Sequence, residues 1–234
     1  MKTGALIVAG GLGLRMHSSL PKQFMPLSGK EIFVRSVEVF HGSAYVDFIV
    51  LIVHKDWLGQ ARRILEKRGI NSVSVVSGGE TRQESVQNGL LFCETIRPEI
   101  VMIHDAARPF FSKEQIPEIL RLITPGTGVV VTEKATDTVY LVEDEVVVDV
   151  PNRSNLRRAE TPQTFTFCEI LQAHRKAAEE GIHCSTDDAQ LFIGFGGRVV
   201  TVDSIAPNPK ITTPLDFKMA ELLINREYDF NRRD

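Results

Sequence analysis

The sequence predicts an α/β protein with a doubly wound, mostly parallel sheet and an inserted β-hairpin arm. Three observations predict it. Short apolar runs of strand character alternate with helical patterns from the N-terminus to Thr132, the order that builds parallel sheets through right-handed crossovers. A glycine loop follows the first run and a charged turn follows residues 99–104, at the strand ends where ligands collect in such sheets. After Thr132 the alternation stops. Two strand-like runs, 138–142 and 145–150, are joined by Glu143-Asp144, which reads as a hairpin and not a crossover.

Taken in order, residues 4–9 read as a buried strand and 32–40 as a helix with Ile32, Phe33, Val37 and Phe40 on its apolar side. Residues 46–53 are continuously apolar and β-rich, the pattern of a strand buried on both faces. Asp56 suits the cap of a helix carrying Trp57, Ala61, Ile64 and Leu65, which Gly69 ends. A short strand at 73–76 leads through Gly78-Gly79 into a helix containing Val86 and Leu90. Ser112-x-x-Gln115 has the form of a capping box opening a helix to Ile123, and 128–132 returns to strand. Beyond the hairpin, Thr166-x-x-Glu169 opens a helix that Gly181 ends, 198–202 is a strand, and Thr213-Pro214-x-Asp216 starts a last helix to about Ile224. The tail 226–234 is charged and expected to fray.

The 234 residues, 43% hydrophobic and 24% charged, suit one domain over 1–234 with ample core and an arm at about 136–153. A formal charge of −3 leaves no footprint for general nucleic-acid binding. Cys93, Cys168 and Cys184 form no CxxC pair, so inert thiols in a reducing cytoplasm are expected. The N-terminus enters a short strand directly, so neither a signal peptide nor a membrane span is expected. A hairpin inserted in a parallel sheet can bury its second face only against another chain or a loop. The arm therefore reads as a homodimer contact, with a lid on its own subunit as the alternative.

The candidate chemistry starts at Ala9-Gly10-Gly11-Leu12-Gly13-Leu14-Arg15-Met16, with Lys22 following in Leu20-Pro21-Lys22-Gln23-Phe24. Glycines let backbone N–H groups close on an anion, and Arg15 and Lys22 are placed to hold charge developing on a phosphate. A P-loop run is missing, and the third glycine of a dinucleotide fingerprint is replaced by Met16; a plain strand-to-helix turn is the bland alternative. Asp105, directly after a strand, suits Mg²⁺, which takes one or two carboxylates plus substrate phosphates; otherwise it caps a turn or pairs with Arg108. His104 reads as structural. The turn Ser77-Gly78-Gly79-Glu80-Thr81-Arg82-Gln83-Glu84-Ser85 suits recognition of a base edge, or is simply a turn and helix cap. Lys210 precedes a helix N-terminus, where the dipole opposes a cation, and this misfit points to an anion.

Together Gly-x-Gly-x-Arg-Met, Pro-Lys-Gln-Phe, Gly-Gly-x-x-Arg-x-x-Ser-Val, His-Asp-Ala-Ala-Arg-Pro-Phe, Thr-Pro-Gln and Thr-Asp-Asp resemble the 2-C-methyl-D-erythritol 4-phosphate cytidylyltransferases, from about Ala5 to Leu223. Ribitol 5-phosphate cytidylyltransferases share most of the set. The resemblance implies a Rossmann-like nucleotidyltransferase that joins CTP to a polyol phosphate, giving a CDP-polyol and pyrophosphate. It implies Arg15, Lys22 and Lys210 as catalytic residues, and Ala9, Gly10, Gly11, Gly13, Gly79, Glu80, Ser85 and Asp105 as the CTP site. Asp105 would hold Mg²⁺. Thr138, Arg153, Thr186 and Arg108 would bind the acceptor, with Thr138 and Arg153 reaching the partner's site from the arm.

Ala9-Gly10-Gly11, Glu80 and Pro207 depart from the usual methylerythritol pattern, Pro207 standing where an aspartate often precedes the Asn-x-Lys segment. Pro151-Asn152-Arg153 and Lys210-Ile211-Thr212-Thr213 look like the ribitol branch, whereas His104-Asp105-Ala106-Ala107-Arg108-Pro109 is the methylerythritol form. The reading leans to methylerythritol phosphate and isoprenoid precursor synthesis. Its alternatives are CDP-ribitol for a cell-surface polymer and, further off, a non-catalytic nucleotide-binding module.

Overall fold

Strand β1 (Thr3–Ala9) explains the two-layered core. Ala5, Ile7 and Ala9 enter one apolar layer and Leu6 the other, as the period-two alternation of a strand covered on both faces requires. The structure, a computed structural model, describes residues 1–11 and 20–230; Gly13 and Arg15 lie outside them. After β1 come a small ribbon of β2 (Pro26–Leu27) and β3 (Lys30–Glu31), then β4 (Phe48–Val53), β5 (Val73–Ser77), β6 (Ile100–Asp105) and β7 (Thr127–Lys134). The arm strands β8 (Leu141–Glu143) and β9 (Val146–Asp149) precede β10 (Arg157–Thr166) and β11 (Arg198–Asp203). The central sheet has the order β11-β7-β10-β6-β1-β4-β5.

Helices α1 (Ile32–His41), α2 (Leu58–Lys67) and α4 (Ile116–Leu122) pack Phe33, Phe40, Leu65 and Ile119 on one face. On the other lie α3 (Arg82–Cys93), α5 (Phe167–Glu179) and α6 (Asp188–Gly194), contributing Val86, Leu90, Ile170 and Phe192. The last helix, α7 (Pro214–Phe230), places Ala220 in a small cluster with Leu27, Ile32 and Ile211.

Beside the small β2–β3 ribbon, one strand of the central sheet and one helix escaped the sequence reading. β10 pairs antiparallel with both β6 and β7, while the other neighbours in the central sheet are parallel. Pro162 argues against a central strand because it cannot donate to a ladder. Here it falls where the register with β7 shifts between Ala159 and Gln163, so no ladder bond is asked of it. α6 spans seven residues, too few to show a helical period.

The predicted caps fare unevenly. Gly69 (φ 73°) and Gly181 (φ 70°) end α2 and α5 in the left-handed region. Ser112, however, donates its hydroxyl to Glu114 and makes no backbone cap, and Thr166 likewise turns to Glu169. His54, not Asp56, accepts at the second helix entrance, from Asp56 N. The arm turn lies one residue later than expected. Asp144 (φ 46°) and Glu145 (φ 64°) both take the left-handed conformation that a two-residue type I′ hairpin requires.

Candidate active site

The C-terminal ends of β1, β5 and β6 converge on one edge of the sheet, and the connection before α7 folds over them. Between them lies a cavity of about 250 Å³. Ala9, Gly10 and Gly11 wall it after β1; Gly79, Glu80 and Ser85 wall it after β5; Asp105 closes it at the end of β6. Lys22 and Lys210 reach the same space from distant parts of the chain.

The two glycine turns are held together by Ser85, the first of them from below. A Cβ on Gly10 would sit 2.6 Å from the Ser85 hydroxyl, and one on Gly78 2.7 Å from it, so both positions depend on glycine. That hydroxyl accepts from Gly79 N at 3.1 Å and donates to Thr81 O at 2.8 Å. Thr81 itself caps α3, accepting from Glu84 N at 3.1 Å. Gln23, which the sequence reading passed over, donates to the carbonyls of Ala9 and Gly11. Its position beside Lys22 was the available signal.

Asp105 is fixed by its neighbours in the chain and across it. Its N–H donates to the Thr161 hydroxyl at 3.1 Å, and that hydroxyl lies 3.0 Å from His104 Nδ1. His104 Nε2 lies 2.9 Å from Arg108 O, a carbonyl that only accepts, so Nε2 carries the proton and Nδ1 accepts from Thr161. Burial pushes the His104 pKa down to about 4. It is structural, as read.

The Asp105 carboxylate faces two cations. Oδ1 accepts from Arg82 Nε at 3.0 Å and Oδ2 from Lys210 Nζ at 2.6 Å. Burial opposes its ionisation, but Arg82 and Lys210 outweigh burial and hold its pKa far below the carboxylate range. Lys210 is brought there by its own loop: Asn208 Nδ2 donates to Glu160 and Thr161 O, and Ile211 N donates to Ala107 O. Lys22 Nζ donates to Ile211 O at 2.8 Å.

The acceptor-side residues stand apart from this cavity. Arg108 is occupied by Asn208 O at 2.6 Å and by Glu160 at 3.4 Å, so it braces the Lys210 loop. Thr186 is exposed, its N and Oγ1 both donating to Gln190 Oε1. Thr138 and Arg153 lie on the exposed arm, with Arg153 Nη1 donating to Thr136 O. Arg82 and Asp188, which also pair at 2.8 Å, are the charged groups the sequence reading left without a role, although both fall within its motifs.

A family model described as 2-C-methyl-D-erythritol 4-phosphate cytidylyltransferase matches residues 3–226. A relative of that name from Geobacter metallireducens is 38% identical, covering 97% of this chain and 99% of its own. A ribitol-5-phosphate cytidylyltransferase from Vibrio parahaemolyticus is 36% identical, covering 95% of this chain and 96% of its own. The crystal structure of 4-diphosphocytidyl-2C-methyl-D-erythritol synthase from Anaerococcus prevotii matches with a TM-score of 0.83 at 30% identity, over 96% of each chain. With strand ends, cavity and motif order in agreement, this chain belongs to the 2-C-methyl-D-erythritol 4-phosphate cytidylyltransferase family, a family of enzymes.

Proposed function

We propose that this chain transfers CMP from CTP to 2-C-methyl-D-erythritol 4-phosphate, releasing pyrophosphate, in the synthesis of isoprenoid precursors. The observation that carries the reading is the convergence of Lys22 and Lys210 on one glycine-walled cavity around an ionised carboxylate. An oxygen of the acceptor phosphate attacks the α-phosphorus of CTP in line. A new P–O bond forms as the bond to the β-phosphate oxygen breaks, and pyrophosphate leaves with the electron pair. The protein does little covalent work in such a step; it positions and neutralises. Lys22 and Lys210 meet the charge on the α-phosphate and the leaving group, together with Arg15. The turn at Gly10 faces the phosphates, and the turn at Gly79, whose Gly78, Gly79 and Glu80 N–H groups are bonded to Val53 O, Ser85 Oγ and Glu84, meets the base with its carbonyls, Ser85 setting their separation.

No cluster of three potential metal ligands occurs among the described residues. The cavity nevertheless fits a divalent cation held chiefly by phosphates, because Asp105 stays ionised and each of its oxygens keeps a lone pair after serving Arg82 and Lys210. Mg²⁺ bound there would neutralise phosphate charge.

Ribitol 5-phosphate is the second reading, favoured by the 36% identical ribitol-5-phosphate relative and by Pro151-Asn152-Arg153. Pyrophosphate release with each acceptor at limiting CTP decides between them through kcat/KM. A pocket shaped for a methyl gains about 1–3 kcal/mol, whereas one that hydrogen-bonds an extra hydroxyl discriminates more strongly. Release with neither acceptor would end the reading.

The active form is read as a homodimer in which the arm supplies Thr138 and Arg153 in trans. The arm's own two-stranded sheet and its exposed Tyr140, Leu141, Val146 and Val148 support this. No helix among the described residues is long and apolar enough to cross a membrane, and the three free cysteines suit the reducing cytoplasm we infer for it.

A further inference from the structure

Asp188 carries a buried charge that the reaction as described does not use. It sits at the start of α6 and is 1% exposed. Its backbone N–H and that of Ala189 both donate to Gln163 Oε1, at 3.1 and 3.0 Å. Gln163 Nε2 in turn donates to Asp187 at 2.8 Å, so the main chain here is pinned to β10. Beneath it, fully buried His174 on α5 places Nε2 3.1 Å from Asp188 Oδ1. The other oxygen, Oδ2, accepts from Arg82 Nη1 at 2.8 Å, while Arg82 Nε reaches Asp105 at 3.0 Å. The planar guanidinium therefore spans two carboxylates, one anchored in the core and one in the cavity.

We propose that Asp188, braced by His174, is a positioning residue that acts through Arg82 to orient and charge-balance Asp105. This rests on the cytidylyl-transfer reading. A guanidinium bound to Asp105 alone is free to pivot and to form a two-pronged pair with it. Held by Asp188 as well, Arg82 presents one donor in one direction and leaves the second lone pair of Oδ1 available. The pairing pattern supports the same role. Arg82 is shared between Asp105 and Asp188 while Lys210 pairs with Asp105; without Asp188 the whole charge of Arg82 falls on Asp105, and Asp105 attracts an incoming cation less. Asp188 pairs with both Arg82 and His174, which outweigh burial and keep it ionised.

The test is a double-mutant cycle on the full chain, with pyrophosphate release as the assay and near-ultraviolet circular dichroism as the check on folding. Asp188→Asn, which keeps size but loses charge, is expected to lower kcat about tenfold to a hundredfold, the range for a catalytic group displaced by an ångström, with KM for CTP changed less than about threefold. In the Arg82→Gln background the same change is expected to cost little further, because Asp188 acts through Arg82. His174→Gln, which retains a donor toward Asp188, should keep more kcat than His174→Leu; this pair serves if Asp188→Asn does not fold. Full additivity in the cycle, unchanged kcat, or equal effects of the two His174 variants would overturn the proposal. A wild-type chain that releases no pyrophosphate from CTP would remove the underlying reading and the proposal with it, a result distinct from an active enzyme with additive losses.

Discussion

The sheet edge around Asp105 and the β8–β9 arm differ in what each leaves unfinished. At the sheet edge the buried polar groups Asp105, Asp188 and His104 are tied to named partners within the chain, and glycine turns close over a hydroxyl with no space to spare. In the arm Tyr140 is 58% exposed and Val146 63% exposed, and the two strands pair only with each other. A two-stranded ribbon is marginal in water by itself. The contrast teaches that the described charges around the cavity find their partners within the protomer, whereas the arm's apolar side chains do not. A buried charge without a partner is costly in a low-dielectric setting; an exposed apolar ribbon carries no such cost.

The comparison breaks first at Lys22. If Lys22 meets phosphate charge in the cavity, Lys22→Ala should cut kcat about a hundredfold or more at saturating CTP, with the fold intact. Near-normal turnover would remove Lys22 from the machinery. The arm makes the complementary claim. Arg153→Ala should also be inactive, yet mixing it with the Lys22→Ala chain should restore part of the activity, because a mixed dimer contains one intact site. A mixture that stays inactive while heterodimers form would place Arg153 in its own protomer's site or in none.

A smaller effect sharpens the buried side. His104 titrates near pH 6.5 when unfolded and near 4 when folded. The unfolded chain therefore takes up the proton first, and stability falls as pH drops from about 6.5 to about 4, by roughly 3 kcal/mol from this residue. Urea melts across that window should be flatter for His104→Gln than for the wild type; equal slopes would show that the ring does not stay neutral in the folded protein. The smallest effect belongs to the arm. Val148→Ser should alter protomer stability by less than about 0.5 kcal/mol while weakening self-association in sedimentation. A large drop in melting temperature with unchanged association would mean that the arm folds back on its own subunit.

Helices α1, α2 and α3 and strands β1, β4, β5 and β6 were legible because their signals are local: continuous apolar runs, a 3.6-residue period, and glycines where the chain turns. The walls of the cavity were legible for the same reason, since each follows a strand end. The antiparallel β10 was hidden by Pro162, whose tolerance depends on a register shift against a strand elsewhere in the chain. Ser112 and Thr166 carried the letters of capping boxes but spent their hydroxyls on carboxylates, a choice that local spelling does not decide.

The sequence by itself therefore determined the layered α/β class, the hairpin arm and the family, because these follow from periodicity, turn chemistry and the order of motifs. Only the tertiary structure decided which charges meet. Arg82 and Asp188 are 106 positions apart, and Lys210 and Asp105 are 105 apart; nothing in either neighbourhood names its partner. Their pairing is forced by burial. An ionised group taken out of water must find its opposite within a few ångströms, and folding the strand ends together is what brings that opposite within reach.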